Sequence, residues 1–255
     1  MTDWNPDKYD AFRDLRLRPA LDLLAQVPAL PPGNVVDLGC GSGAVGPALA
    51  ARFGRPVTGV DTSPAMLAKA TETKAYASLV EADASVWHPA TPPALIFANA
   101  LLHWLPDHGA LFPKLAAMLG PGGVLAVQMP VQFDAPSHTL ARQIAARMFP
   151  DIYSPHPPQV SAPSDYFDAL APFGRLSIWR TEYLQLLPAD ADAHPVRRFT
   201  ESTALRPILD ALNTDQTTQL LAAYDAALAK PYPLRPDGGA LMPFARLFLV
   251  LHRTD

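Results

Sequence analysis

The feature that most constrains this chain is a short apolar run, Val35-Val36-Asp37-Leu38, leading directly into Gly39-Cys40-Gly41-Ser42-Gly43. Val35 to Leu38 is β-prone, and Val45 to Phe53 after the glycines has helical spacing. The order is therefore strand, glycine loop, helix. Glycines at such a junction allow positive φ and let a ligand approach the backbone closely. Asp61 follows Gly41 by twenty residues, at the end of a second β-prone run, Val57 to Val60. A carboxylate at that strand end can accept from both hydroxyls of a ribose. The pattern calls for a Rossmann-like nucleotide site and, through it, a parallel sheet.

The rest of the first half keeps this rhythm. An apolar helix over Ala20 to Gln26 is stopped by Pro31-Pro32-Gly33. Ser63 as N-cap and Pro64 at the first helical position open a helix reaching about Lys74. Ser78 to Glu81 and Leu95 to Asn99 read as the third and fourth strands. Asp107 caps a helix to Leu119, and Val124 to Met129 is the fifth strand. Strands separated by helices of this length argue for βαβ units. After Pro130 the spacing changes. Ser137 to Phe149 reads as helix, then comes the proline-rich Pro150 to Pro163, part of a total of 29 prolines. A short helix near Asp165 to Ala171, a strand over Leu176 to Leu187, helix through residues 190–229 and a strand over Phe244 to His252 complete the chain. The expectation is one α/β domain: a Rossmann-like, doubly wound, seven-stranded sheet with a mainly helical cover. The core is about 20–130 with the late strands 176–187 and 244–252. The cover is about 131–172 and 188–235, with the N-terminal segment 1–19.

Composition narrows the class. The formal net charge is −4 and no basic run is present, which argues against nucleic acid as a partner. No apolar stretch approaches the roughly 20 residues of a membrane helix. The first residues lack a basic segment followed by an apolar one, so no secretory signal is readable. A single cysteine, Cys40, permits no internal disulfide and suits a reducing compartment. A cytoplasmic protein acting on a small molecule is expected, with oligomeric state open. Neither the seven histidines nor Cys40 follow a metal-ligand spacing, so no metal is expected.

The glycine loop alone is ambiguous, because Gly39, Gly41 and Ala44 also satisfy a dinucleotide fingerprint. Asp37, two residues before the first glycine, separates the cofactors. A pyrophosphate beside it would be repelled, whereas S-adenosylmethionine has no phosphate and carries an ammonium and a sulfonium. A nicotinamide-dependent oxidoreductase is thus the disfavoured alternative, and a cofactor-binding protein without catalysis remains a third. Asp83, ending the third strand, can accept from an adenine amino group. Asn99, after the fourth strand, can line the methionine end.

Val36 to Gly43, Gly59 to Ser63 (with Thr62 beside Asp61), Glu81-Ala82-Asp83 and Phe97 to Pro106 resemble the successive motifs of class I methyltransferases. More narrowly, Trp4-Asn5-Pro6, Arg18-Pro19, Ser63 to Met66, Leu105 to His108, Val124 to Pro130, Ile178 to Thr181, Leu205-Arg206-Pro207 and Arg246-Leu247-Phe248 look like the trans-aconitate methyltransferase family. The likeness spans nearly the whole chain and is poorest at the proline-rich stretch and Val196 to Ala204. It implies methyl transfer from S-adenosylmethionine, leaving S-adenosylhomocysteine, to one carboxylate of a small unsaturated tricarboxylic acid; another small metabolite as acceptor is the near alternative. A carboxylate is ionised at neutral pH, so no general base is expected. Arginines are the expected clamp, since a guanidinium grips a carboxylate through two hydrogen bonds. Arg18, Arg180, Arg206 and Arg246 lie in the family-like segments. Tyr9 in an N-terminal flap, Trp104 as a wall and Gln128 as a donor complete the substrate set. His103 and His108 are expected to be structural.

Overall fold

A computed structural model describes residues 13–153, 160–201 and 203–254. The chain divides into two compact units, one formed by Met1–Pro130, Gln159–Thr181 and Arg246–Asp255, the other by Val131–Pro158 and Glu182–Ala245.

The first unit alternates helix and strand as expected: α1 (Arg13–Ala25), β1 (Val35–Leu38), α2 (Gly46–Phe53), β2 (Val57–Asp61), α3 (Pro64–Glu72), β3 (Ser78–Glu81), β4 (Leu95–Asn99), α4 (His108–Met118) and β5 (Val124–Pro130). Later in the chain come α5 (Pro136–Met148), α6 (Pro163–Leu170), β6 (Gly174–Leu187), α7 (Pro195–Glu201), α8 (Arg206–Leu209), α9 (Thr214–Leu228) and β7 (Ala240–Arg253). The strands form one sheet in the order β3-β2-β1-β4-β5-β7-β6. The first five pair in parallel and β7 joins β5 antiparallel, with Val124 opposite His252 and Pro130 opposite Arg246. Strand β1 is buried throughout, and β4 and β5 are buried up to their last residue, as parallel strands covered on both faces must be. Edge strand β3 is mostly exposed.

The local signals act as read. Ser63 Oγ accepts from the Met66 N–H at 3.3 Å with Pro64 at the first helical position. Asp107 caps α4 from a left-handed conformation (φ 55°), accepting from Ala110. The helical stretch expected over 190–229 is three helices, because Pro195 and Pro207 each start a new one and Asn213 caps the third through a reciprocal bond with Gln216. Strand β7 starts at Ala240, four residues before the expected Phe244, and tolerates Pro243 inside it.

In the second unit, α5 and α9 are tied by a Tyr224 hydroxyl donating to the Ser137 carbonyl at 2.7 Å, and the Ser137 N–H donates to the Tyr232 hydroxyl. Buried Arg197 binds Asp225 at 2.8 Å and Glu201, a paired and therefore tolerable buried charge. Phe199 meets Phe244 edge-on. Among the described residues no helix is long and apolar enough to cross a membrane.

Candidate active site

The sheet register brings the polar candidates onto one face. Asp37 pairs with Gly59, so Asp61, two residues further along β2, points the same way as Asp37. Asp37 also pairs with Phe97, placing Asn99 on that face; Asn99 pairs with Gln128. Gln128 pairs with Phe248, and Arg246 lies two residues from it along β7. Asp61, Asn99, Gln128 and Arg246 thus form a row along the carboxyl edge of the parallel strands, where open α/β sheets bind their ligands.

At one end of this row the glycine loop is built on Asp61. Gly39 and Cys40 donate backbone N–H bonds to the Val60 carbonyl at 2.7 and 3.1 Å. Asp61 Oδ2 accepts from the Gly41 N–H at 2.9 Å, and Oδ1 from the Ser63 N–H at 3.0 Å. Each carboxylate oxygen has lone-pair capacity for a further donor. Gly39 (φ 74°) is hemmed in, since a Cβ there would lie 2.7 Å from Leu101. Gly41 (φ 54°) is different: a Cβ would meet nothing within 4 Å. The loop backbone there faces open space, which lets a ligand lie against it.

Asp37, two residues before the glycine loop, is 2% exposed inside β1. Tyr76, which carried no sequence signal, donates its hydroxyl to Asp37 Oδ2 at 2.7 Å. Burial outweighs that bond, and the nearby Asp61 adds to it, pushing the carboxyl up to about 7. Burial together with Asp37 pushes the Cys40 thiol well up, so it stays protonated and is no nucleophile. Asp83 is exposed at the start of a turn, where the Ser85 hydroxyl, and then the Ser85 N–H donating at 2.8 Å, hold its carboxyl low. Thr62 is exposed beside Asp61.

At the other end, Arg246 is 4% exposed and its Nη1 donates to Gln128 Oε1 at 3.4 Å. That bond fixes the Gln128 amide, whose Nε2 is buried with no acceptor among the described residues; the buried Oδ1 of Asn99 likewise has no donor. Unpaired buried polar atoms are costly, so two of them in one row mark a place built for a polar ligand. The backbone helps shape it: Ala100 donates to the Gln128 carbonyl at 2.9 Å from a left-handed conformation (φ 52°).

The other expected clamp residues are not on the strands that carry that row. Arg18 is exposed on α1 and lies 3.8 Å from Asp22. Arg180 is exposed on β6. Arg206 belongs to the second unit, 3.7 Å from Asp210. Tyr9 and Trp4 lie outside the described residues. Trp104 is 43% exposed on the turn Leu102–Trp104, against His103. His108 is buried, with Nδ1 2.5 Å from the Tyr166 hydroxyl and Nε2 2.8 Å from the Leu102 carbonyl. It ties that turn to α6, and burial lowers its pKa. Among the described residues no cluster of side chains could hold a metal ion.

The residues fit an S-adenosyl group: an open glycine loop and a carboxylate at the second strand end with acceptor capacity to spare. Comparison agrees. Residues 9–213 match the family described as a methyltransferase domain. The chain is 44% identical to the trans-aconitate 2-methyltransferase of Methylobacterium nodulans over 100% of both chains. It is 44% identical to that of Azoarcus sp. over 99% of this chain and 100% of the relative. Its fold matches the crystal structure of the YcgJ protein from Bacillus subtilis with a TM-score of 0.60, at 14% identity, over 93% of this chain and 99% of that one. The chain belongs to the class I S-adenosylmethionine-dependent methyltransferases, in the family of the trans-aconitate 2-methyltransferases.

Proposed function

We propose that this enzyme methylates one carboxylate oxygen of trans-aconitate, giving a monomethyl ester. The observation that carries the reading is the row of buried Arg246 and Gln128 with half-buried Asn99, seen in a chain whose full-length relatives bear that substrate in their name. A buried guanidinium is expensive unless an anion or polar partners meet it. Here it stands beside an amide N–H that has no acceptor of its own among the described residues, two kinds of donor suited to carboxylate oxygens.

The roles divide along the row. Asp61 receives the ribose hydroxyls, with Thr62 beside it and Asp83 turned to the adenine. Gly39 and Gly41 let the backbone come close, and Asp37 and Asn99 serve the methionine end. S-adenosylmethionine, when bound, supplies an electrophilic methyl on a sulfonium. Arg246 and Gln128 then hold the acceptor carboxylate in place. Trp104, with Arg18, Arg180, Arg206 and Tyr9 as further candidates, bounds the acceptor. No proton has to move, because the carboxylate is already ionised at pH 7. Catalysis is positioning and exclusion of water, which accounts for a site with no nucleophile–base pair.

A screen of small mono-, di- and tricarboxylic acids with methyl-labelled cofactor tests the proposal. Base-labile label should appear fastest on trans-aconitate. Cofactor binding with no transfer to any carboxylic acid would overturn the acceptor assignment and leave the family untouched.

A further inference from the structure

Tyr76 lies between α3 and β3, outside every family-like segment, and it occupies a slot that only glycine walls could leave. A Cβ on Gly46 would fall 2.5 Å from the Tyr76 ring, one on Gly59 3.0 Å and one on Gly43 3.1 Å. Gly43 and Gly46 belong to the loop and the first turn of α2, and Gly59 is on β2. Three glycines from two elements therefore make room for one ring, and the ring ends in a hydroxyl 2.7 Å from the buried Asp37 carboxylate. A phenylalanine would fill the same slot. The hydroxyl is the part that the packing alone does not explain.

We propose that Tyr76 is a positioning residue of the cofactor site, its hydroxyl holding the Asp37 carboxylate in the ionised form that pairs with the cationic methionine end of the cofactor. The inference rests on the cofactor assigned by the family and adds a residue to it. Around Asp37 the titratable groups are Asp61 from β2, Cys40 from the loop and Tyr76 itself. Cys40 and Tyr76 are both pushed up by burial and by Asp37, so both stay protonated and Tyr76 is a permanent donor. Asp61 is a like charge and works against ionisation of Asp37. With its carboxyl near 7, Asp37 is part-protonated at neutral pH before the cofactor arrives. A cation bound nearby acts on it through the low-dielectric interior and draws it towards the carboxylate, so binding releases part of a proton.

Binding of S-adenosylhomocysteine, followed by calorimetry from pH 6 to 8.5 in buffers of different ionisation enthalpy, tests this without turnover. The wild-type protein should release a fraction of a proton near pH 7, fading towards pH 8.5, and Asp37→Asn should abolish the release. Tyr76→Phe keeps the ring but removes a hydrogen bond to a charged group. It should weaken binding about tenfold at pH 7, with the gap closing to within about threefold at pH 8.5. A loss in Tyr76→Phe that is equal at every pH would mean that the tyrosine only packs, and would overturn the proposal. So would wild-type binding without proton release, a result that needs no variant to fold. If the wild-type protein failed to bind S-adenosylhomocysteine at any pH, the cofactor assignment itself would fall, which is a separate and recognisable outcome.

Discussion

The two ends of the polar row are assembled in different ways. At the cofactor end, the loop and its supporting carboxylate come from one βαβ unit: Gly39, Gly41 and Asp61 lie within 23 consecutive residues. Their geometry is local, a strand end, a turn and the next strand end, and Asp61 anchors the loop by accepting from Gly41 and Ser63. At the acceptor end, Gln128 and Arg246 come from strands far apart in the chain, and Arg246 reaches Gln128 only because β7 inserts antiparallel beside β5. The first arrangement is a motif; the second is a register. A one-residue slip of β7 would turn Arg246 to the other face of the sheet. The cofactor end can thus be shared widely across a fold, while the acceptor end is set by how one late strand pairs.

The largest expected effect separates these two ends. Arg246→Ala should lower kcat/KM for the acceptor by about a hundredfold or more, since affinity and alignment both depend on the guanidinium. Cofactor affinity should stay within about twofold, and Arg246→Lys should recover only part of the loss, because an ammonium lacks the two-pronged grip. Steady-state kinetics beside cofactor titration checks it. A variant with normal acceptor kinetics would move the clamp to Arg18, Arg180 or Arg206.

The next effect falls on the cofactor end. Asp61→Asn removes the charge but keeps one oxygen for the loop N–H groups. Cofactor affinity should drop about tenfold, the scale of one charge-assisted hydrogen bond, with the acceptor KM nearly unchanged. If the acceptor KM rose as much as the cofactor Kd, the two ends would not be separable as drawn.

The same contrast explains what the sequence discloses. The succession of the first five strands along the chain, the caps at Ser63 and Asp107 and the glycine loop are local, and each is written in adjacent residues. A late β-prone run discloses β7 as a strand, but not that it inserts antiparallel between β5 and β6. What sequence conceals is pairing across distance. Nothing in it distinguishes Arg246 from Arg18, yet the first is buried beside an amide and the second is an exposed partner of Asp22. Tyr76 is an ordinary tyrosine until Gly43, Gly46 and Gly59 converge on it. The burial of Asp37 is hidden too, because a one-dimensional pattern does not report that β1 is covered on both faces.

The smallest effect concerns stability and sets the first unit against the second. In the first, Asp37 is raised from 3.8 to about 7. The folded form therefore holds a proton that the unfolded chain gives up between those values, and this contribution to stability grows as pH falls from 7 towards 4. In the second, His138 is lowered from 6.5 to about 4 by burial, with Arg142 adding. The unfolded chain takes up a proton below pH 6.5 that the folded form refuses, so this contribution is lost as pH falls through the same window. Each slope is at most about 1.4 kcal/mol per pH unit, and the two have opposite sign. In one cooperative transition they oppose each other, so each hides part of the other in the wild-type protein between pH 4.5 and 6.5, while buried His108, also lowered, adds to the histidine slope. Asp37→Asn should expose the histidine slope, making the protein weaker in acid. His138→Gln should expose the aspartate slope and make it stronger there. Unfolding in two steps would show the same physics as midpoints drifting apart in opposite directions. Midpoints of both variants moving the same way with pH would mean that one of these groups does not titrate as its burial requires.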